Sequence, residues 1–331
     1  MSVILGIEST AHTFGIGIVK DGKILANVKE TYTTEKGGII PVESAKHHEK
    51  FCKLLLKKAF DECGMSFENV NAIAFSQAPG LAPCLLVGLR FAKKISKENN
   101  IPLVPVNHCV AHLEIGRITG AKDPVMLYAS GANTQIIAYA SEKYRVFGET
   151  LDIGIGNFID TFARYTGLGF PGGPKVAELA LKSNSEKYIE LPYSIKGMDV
   201  AFSGMLTKLR QLFERKQATI EDLSYSLQET AFAMLVEASE RALAHTGKKE
   251  LLLGGGVACN KRLQEMCRIM CEERGCKFFV PPNSLLVDNG AMIAYLGEIQ
   301  FKSGIKFSGK EADKLDINPR QRTDHIKVTW R

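Results

Sequence analysis

Two histidines in the segment His108-Cys109-Val110-Ala111-His112 have a spacing that suits metal binding. Residues i and i+4 of a helix lie on one face, so both imidazoles could reach a single ion. A lone histidine would more often be a hydrogen-bonded core residue, but the pair favours a metal role. A third ligand must then come from elsewhere in the chain.

The same pair lacks the acid that a zinc protease requires. That motif places glutamate directly after the first histidine, and here the position is Cys109. We therefore do not expect metalloprotease activity. The adjacent His47 and His48 would point about 100° apart on a helix. For them a solvated or substrate-facing surface is favoured over a shared metal.

Glycine-rich turns predict a nucleotide site. Residues 8–10 (Glu-Ser-Thr) lead into Gly15 and Gly17, and residues 130–134 (SGANT) follow a later strand. Small residues between antiparallel strands let backbone N–H groups approach phosphate oxygens. The run 254–260 (GGGVACN) offers a flat backbone surface to a base or ribose, and the helix that follows favours phosphate. It matches neither the GxGxxG of dinucleotide-binding folds nor a P-loop.

The pattern of strands and helices occurs twice. Three strands fill the first thirty residues, with Asp21-Gly22 in a two-residue hairpin turn, and a helix is predicted from about 42 to 63. Three further strands precede a helical insertion at roughly 157–245. We predict an α/β fold of two lobes with a nucleotide cleft. The N-terminal lobe comprises 1–125 plus about 296–325, the C-terminal lobe 126–295, and the final HIKVTW resembles a strand.

Composition limits the class of protein. With 45% hydrophobic and 24% charged residues among 331, the chain reads as soluble and globular. It has no apolar run long enough to span a membrane, and its start reads as a buried strand, not a signal peptide. Eight cysteines without a CxxC pair suggest a reducing cytoplasm, with Cys267, Cys271 and Cys276 as helix thiols. A net charge of +6 favours a polyanionic partner without proving it.

The sequence resembles the TsaD family, specifically its archaeal and eukaryotic branch, the catalytic subunit of the KEOPS complex. The resemblance covers nearly the whole chain to about residue 300, in segments that include GIESTAHTFGIGIV, NHCVAHLEIG, LYASGANTQ and GGGVACNKRL. It implies the ASKHA fold of actin-like ATPases, sugar kinases and heat-shock chaperones, with two duplicated RNase H-like lobes. It also implies transfer of a threonylcarbamoyl group from threonylcarbamoyl-AMP to adenosine 37 of tRNAs that read ANN codons.

The resemblance also implies the residues of the site. One divalent iron or zinc ion would be bound by His108, His112 and Asp288, with Tyr128 as a further ligand. From the residues alone, a helix N-cap is the alternative role for Asp288. The adenine nucleotide (threonylcarbamoyl-AMP, ATP, ADP or AMP) would contact Tyr128, Ala129, Ser130, Gly131, Ala132, Asn133, Asp160, Gly173 and Asn260.

Two positions depart from the family pattern. Ala132 replaces the usual second glycine, and its methyl group leaves less room for the nucleotide to approach the backbone. Glu178 lies one step beyond Ala177, where relatives often carry an acid, so its role stays open. Asp160 would hydrogen-bond the ribose hydroxyls and Asn260 would frame the base. No side-chain nucleophile or general base is identified.

The implied partners are tRNA, a small kinase-like ATPase and adaptor subunits. The basic residues considered for contacts with RNA phosphates are Lys36, Lys46, Lys93, Lys94 and Arg117. Three alternatives remain open: a small-molecule kinase of the same superfamily, a nucleotide-gated ATPase or scaffold with a structural metal, and a small-molecule carbamoyltransferase. The kinase is disfavoured because such enzymes typically carry aspartate where this chain has Glu8, and they lack the histidine pair.

Overall fold

The computed structural model describes residues 2–34 and 38–331, so the candidate Lys36 lies outside the described residues. The first lobe is a five-stranded sheet in the order β3-β2-β1-β4-β5. Its strands are β1 (Val3–Glu8), β2 (Thr13–Lys20), β3 (Lys23–Thr31), β4 (Ala72–Ala78) and β5 (Leu103–Asn107). Strand β1 is antiparallel to β2 and parallel to β4. The helices of this part are α1 (Pro41–Cys63), α2 (Ala82–Asn99) and α3 (His108–Ile115).

The second lobe repeats this topology. Its sheet has the order β12-β11-β6-β7-β8, which matches the first sheet strand for strand when read from the other end. Its strands are β6 (Val125–Ala129), β7 (Thr134–Ala140), β8 (Lys143–Glu149), β11 (Glu250–Gly254) and β12 (Lys277–Phe279). The duplication predicted from the sequence is confirmed.

A mainly helical insertion separates β8 from β11. It contains α4 (Ile155–Tyr165), α5 (Gly173–Ala180), the short antiparallel pair β9 (Ile195–Lys196) and β10 (Asp199–Val200), α6 (Ser203–Glu214) and α7 (Ile220–Thr246). The chain then continues through α8 (Lys261–Glu273), α9 (Asn283–Leu286), α10 (Gly290–Lys302) and α11 (Gly309–Lys314). Along the described part of the chain, no helix combines the length and apolar character needed to cross a bilayer.

Helix α10 packs on the first sheet through glycines. A Cβ atom on Gly17 would lie 2.2 Å from the backbone nitrogen of Ala291, and one on Gly6 would lie 2.3 Å from the carbonyl oxygen of Gly290. Gly15 faces Gly290 in the same way. These glycines therefore serve helix–sheet packing, and the prediction that Gly15 and Gly17 admit a phosphate is wrong. The lobe boundary predicted at 295/296 falls inside this helix.

The C-terminal residues do not form the predicted strand. A short 3₁₀ turn at Thr323–His325 is followed by irregular chain. The side chains of Ile326, Val328 and Trp330 nevertheless pack against the core that contains α3 and α10. The alternation of apolar residues in HIKVTW thus reflects one buried side of an irregular segment, not strand pairing.

Candidate metal and nucleotide site

The end of strand β5 places the histidine pair. Asn107 closes the strand and caps α3, because its side-chain oxygen accepts hydrogen bonds from the backbone nitrogens of Cys109 (3.0 Å) and Val110 (3.2 Å). The helix therefore starts at His108, and all eight of its residues are buried. The histidines enter the core between the two sheets, with ring centroids 4.7 Å apart.

Asp288 completes a three-residue cluster. One ligand atom each from His108, His112 and Asp288 lies within 4.8 Å of the others. The Nε2 atoms of both histidines are 3.4 Å from Oδ1 of Asp288. The N-cap of α10 is the next residue, Asn289, which accepts from the backbone nitrogen of Met292 at 3.0 Å. The capping alternative for Asp288 is therefore wrong, and its carboxylate faces the histidines.

His112 shows that these residues fit a cation. Within the described residues, both ring nitrogens of His112 are buried without a well-directed hydrogen bond, and Nε2 has only the 3.4 Å contact with Oδ1 of Asp288. Burying polar atoms without partners is costly, and a bound ion would satisfy Nε2. Burial also lowers the pKa of His112, which favours the neutral imidazole that coordinates metals.

Glu8 orients the other histidine. Its Oε2 atom lies 3.0 Å from Nδ1 of His108, while its Oε1 accepts from the backbone nitrogen of Thr10 at 2.7 Å. Burial opposes protonation of His108, but the carboxylates of Glu8 and Asp288 outweigh it and raise the His108 pKa above its usual value. The sequence had suggested this turn as a phosphate contact. The sequence feature that could have pointed to a role for Glu8 is an acidic residue at the end of an apolar strand.

Tyr128 lies beside the cluster. It is the fourth residue of β6, it is buried, and its ring centroid is 5.0 Å from that of His112. Burial raises its pKa well above the usual value, so the phenol is neutral in the protein as described. Its role as a further ligand stays a prediction.

The SGANT turn rests on the start of helix α4. The turn is closed by a 2.9 Å hydrogen bond from the backbone nitrogen of Ser130 to the backbone oxygen of Asn133. The backbone nitrogens of Gly156 and Asn157 donate to the oxygens of Ser130 and Gly131, at 3.0 and 2.9 Å. Gly131 and Ala132 are exposed, and Ala129 is buried beneath them.

Both glycine-lined loops border the metal cluster. The side-chain nitrogen of Asn133 lies 3.9 Å from the sulfur of Cys109, between the two histidines in sequence. In the GGGVACN loop, a Cβ atom on Gly256 would lie 3.9 Å from Val287, the neighbour of Asp288. Gly255 has a φ of +89°, and a Cβ there would meet the Ala129 oxygen at 2.4 Å. The two loops and the histidine helix thus converge.

The other residues predicted to contact the nucleotide lie in helices of the second lobe or at the start of one, and most of them bond to other residues of the protein. Asp160, half-buried, accepts from the Gly172 nitrogen at 2.8 Å, and burial raises its pKa. Gly173 is the first residue of α5. Asn260 caps α8 and donates to Gln228 at 2.8 Å. Glu178 is exposed and pairs with Lys182 on the same helix.

Several polar residues differ from expectation. His48 is fully buried and its Nε2 lies 3.1 Å from the Ala11 oxygen, so a solvated surface is the wrong interpretation for it. Lys93 donates to backbone oxygens of Asp313 and Leu315. The other two lysines form exposed ion pairs within their own helices, Lys46 with Glu43 and Lys94 with Glu98. Arg117 forms an ion pair with Glu114.

Lys29 was missed by the sequence analysis. It lies on β3, opposite Gly15, and its side chain is half-buried. Burial lowers its pKa, while Asp288 and Cys259 act in the opposite direction. Its ammonium therefore lies within electrostatic range of the metal cluster and of the GGGVACN loop. Charge alone could not have distinguished it from the many other lysines of the chain.

Comparison with known proteins identifies the fold and the family. A crystal structure of HypF from Thermococcus kodakarensis superimposes with a TM-score of 0.63 at 15% identity, over 91% of this chain and 48% of that one, and shows the ASKHA fold. The tRNA N6-adenosine threonylcarbamoyltransferase of T. kodakarensis is 56% identical over 99% of both chains. A probable bifunctional tRNA threonylcarbamoyladenosine biosynthesis protein of Methanosarcina mazei is 52% identical over 99% of this chain and 59% of its own length. The model of the TsaD family, described as tRNA N6-adenosine threonylcarbamoyltransferase, matches residues 23–295, and the chain therefore belongs to that family.

Proposed function

We propose that this chain transfers the threonylcarbamoyl group of threonylcarbamoyl-AMP to the exocyclic amine of adenosine 37 in tRNAs that read ANN codons. AMP is released in the reaction. The observation that carries the proposal is the cluster of His108, His112 and Asp288 between two glycine-lined loops, in a chain of the TsaD family. The alternative is transfer of the same group to a small-molecule acceptor, and the two reactions differ only in the acceptor that enters the cleft.

The reaction needs no protein nucleophile. The carbonyl carbon of the donor is already activated by its AMP leaving group. The adenosine amine attacks that carbon, the bond to the phosphate oxygen breaks, and the amine loses one proton to solvent. Within the described residues, no serine or cysteine near the cluster has the partnered base that covalent catalysis requires. The anhydride must instead be held, oriented and shielded.

Four ligands would hold one divalent ion, iron or zinc. They are His108, His112 and Asp288, with Tyr128 as the fourth. When bound, the ion would supply positive charge to the carbonyl and phosphate oxygens of the donor. Glu8 keeps the His108 ring oriented through Nδ1.

The nucleotide would lie between the two loops. The exposed Gly131 and Ala132 would present backbone to its phosphate, and Asp160 would accept from the ribose hydroxyls. Gly173, Glu178 and Asn260 would line the rest of the pocket. The half-buried Lys29 is within electrostatic range of Asp288 and Cys259, and its ammonium would add a positive charge that attracts the departing phosphate.

The partners that we propose are tRNA and the subunits of a KEOPS complex, a small kinase-like ATPase and adaptors, in the cytoplasm. The relative from M. mazei supports a second component, because this chain matches 59% of that bifunctional protein and the remainder is additional sequence. A loop nucleotide suits this chemistry, since its base is unstacked and accessible.

The test is an assay with purified protein, partner subunits, threonine, bicarbonate, ATP, the adenylate-forming enzyme and tRNA. We expect modified adenosine with the wild type and none with the double variant His108→Ala, His112→Ala. The control is His245→Ala, because that side chain is exposed and lies outside both the cluster and its loops. Full transfer by metal-free protein would reject the metal's role. Binding of ADP without any transfer would favour the nucleotide-gated scaffold.

A further inference from the structure

The segment 318–331 runs across both lobes and ends beside the histidine helix. The backbone nitrogen of Asn318 donates to Gln77 at the end of β4, at 3.0 Å. Further along, Arg322 pairs with Glu149 at the end of β8, at 3.2 Å. The segment therefore joins the first sheet to the second.

One end of α3 is held through its cap. The side-chain nitrogen of Asn107 donates to the side-chain oxygen of Gln321 at 3.1 Å. The oxygen of the same Asn107 amide accepts from the first turn of α3. Because the amide is planar, Gln321 fixes the plane in which Asn107 caps the helix. The first residue after that cap is His108.

The other end of α3 is held through a buried carboxylate. Glu114 has no exposed surface, and its Oε1 lies 3.3 Å from Nε of Arg331 and accepts from the hydroxyl of Tyr144. The Arg331 guanidinium also lies over the rings of Tyr139 and Tyr144, at 4.5 and 5.6 Å from their centroids. Its side chain is only 9% exposed. Its Nη1 atom lies 3.6 Å from Oδ1 of Asp123, so the planar guanidinium contacts two carboxylates and two rings, which suits a carboxylate that must keep one position.

The apolar residues between these two contacts pack against the side of α3. Ile326, Val328 and Trp330 pack against the core cluster that includes Cys109, Val110 and other residues of α3. An eight-residue helix makes few hydrogen bonds of its own, so its orientation depends on what holds its ends. Here both ends and one side are held by the same segment.

We propose that residues 318–331 clamp helix α3 so that His108 and His112 meet Asp288 at metal-binding distance, with Gln321 and Arg331 as positioning residues. The inference rests on the metal site of the proposed function. Neither residue belongs to the cluster of His108, His112 and Asp288. Their contribution is to the geometry of the ligands, and residues that orient metal ligands typically change affinity by about 10- to 100-fold when removed.

The experiment compares Gln321→Ala, Arg331→Gln and Arg331→Lys with the matched control Arg320→Gln. Arg320 lies in the same segment, is exposed, and has no ion pair within the described part of the chain. Affinity for Co²⁺ or Zn²⁺ is measured by competition with a chromophoric chelator, together with the visible spectrum of the cobalt form. Hydrogen exchange of residues 107–115 and the melting temperature are measured in excess chelator.

We expect at least a 10-fold loss of metal affinity and a changed cobalt spectrum for Gln321→Ala and Arg331→Gln, with faster exchange in 107–115. Arg331→Lys should lie between them and the wild type, since it keeps the charge but not the planar fork. Arg331→Lys also tests the role of Arg331 if Arg331→Gln does not fold. Unchanged affinity and exchange in the folded variants overturns the clamp. Absence of metal binding by the wild type overturns the proposed metal site instead, and exchange alone then decides the clamp.

Discussion

The Oε2 atom of Glu8 lies 3.0 Å from Nδ1 of His108, although the two residues are 100 positions apart in sequence. This contact holds the ring so that its other nitrogen, Nε2, faces Asp288. Since the backbone and hydroxyl of Thr10 both donate to Glu8, the carboxylate is itself fixed. A strand of the first sheet thereby sets the direction of a ligand on α3.

Glu8→Gln should weaken metal binding. The amide keeps the shape of the carboxylate but removes the charge that makes the His108 ring a stronger ligand. We expect about a 10-fold or larger loss of Zn²⁺ affinity, measured by chelator competition. The exposed Glu62→Gln is the control. Equal affinities for the two variants would show that Glu8 serves only the fold.

Asn260 allows capping and nucleotide binding to be separated. Asn260→Ala removes the cap of α8 and should cost about 1 kcal/mol of unfolding free energy. Asn260→Ser keeps a capping oxygen but loses the amide that faces Gln228. If Asn260 contacts the base, both variants should bind nucleotide more weakly by calorimetry. Normal binding by the serine variant would assign Asn260 to capping alone.

The part of the site that could be predicted is the part with local periodicity or a recognisable motif. The i, i+4 spacing of His108 and His112 required only a helix, and α3 provides it. The family resemblance supplied Asp288, which comes from a loop about 180 residues later and which no local pattern links to the pair.

What could not be predicted depends on tertiary contacts. Glu8 is an acid in an apolar strand, and nothing nearby in sequence indicates that its partner is His108. Gly17 looks like a phosphate-turn glycine, because the sequence does not show that α10 crosses the first sheet there. The alternation in HIKVTW resembles a strand because one buried side gives the same pattern with or without a pairing partner.

Gly17→Ala tests the packing role assigned to that glycine. A methyl group at this position would meet the backbone of α10 at 2.2 Å, where no flexible side chain can yield. We expect a loss of about 1–3 kcal/mol in unfolding free energy, measured by urea denaturation. The control is Gly204→Ala in the first turn of α6, where the nearest atom is 4.0 Å away. A Gly17→Ala protein as stable as this control would contradict the close approach.

His48 predicts a pH dependence of stability. Burial, helped by the neighbouring His47 and His12, lowers its pKa from 6.5 to about 4 in the folded protein, against the weaker effect of its bond to Ala11. The unfolded chain therefore binds a proton first as the pH falls. The stability contributed by neutral His48 is complete above about pH 6.5 and is lost progressively toward pH 4. Between pH 7 and pH 5 the loss from this one residue is about 2 kcal/mol.

The variant His48→Gln should remove that dependence, because glutamine can still donate to the Ala11 oxygen but does not titrate in this range. Its unfolding free energy should fall less than that of the wild type between pH 7 and pH 5, by about 2 kcal/mol. His325→Gln is the control, since its side chain is 68% exposed. If urea denaturation showed the same change in unfolding free energy between the two pH values for the wild type and His48→Gln, His48 would take up its proton at the same pH in the folded and unfolded chains. The hydrogen bond to Ala11 would then balance the burial of the ring.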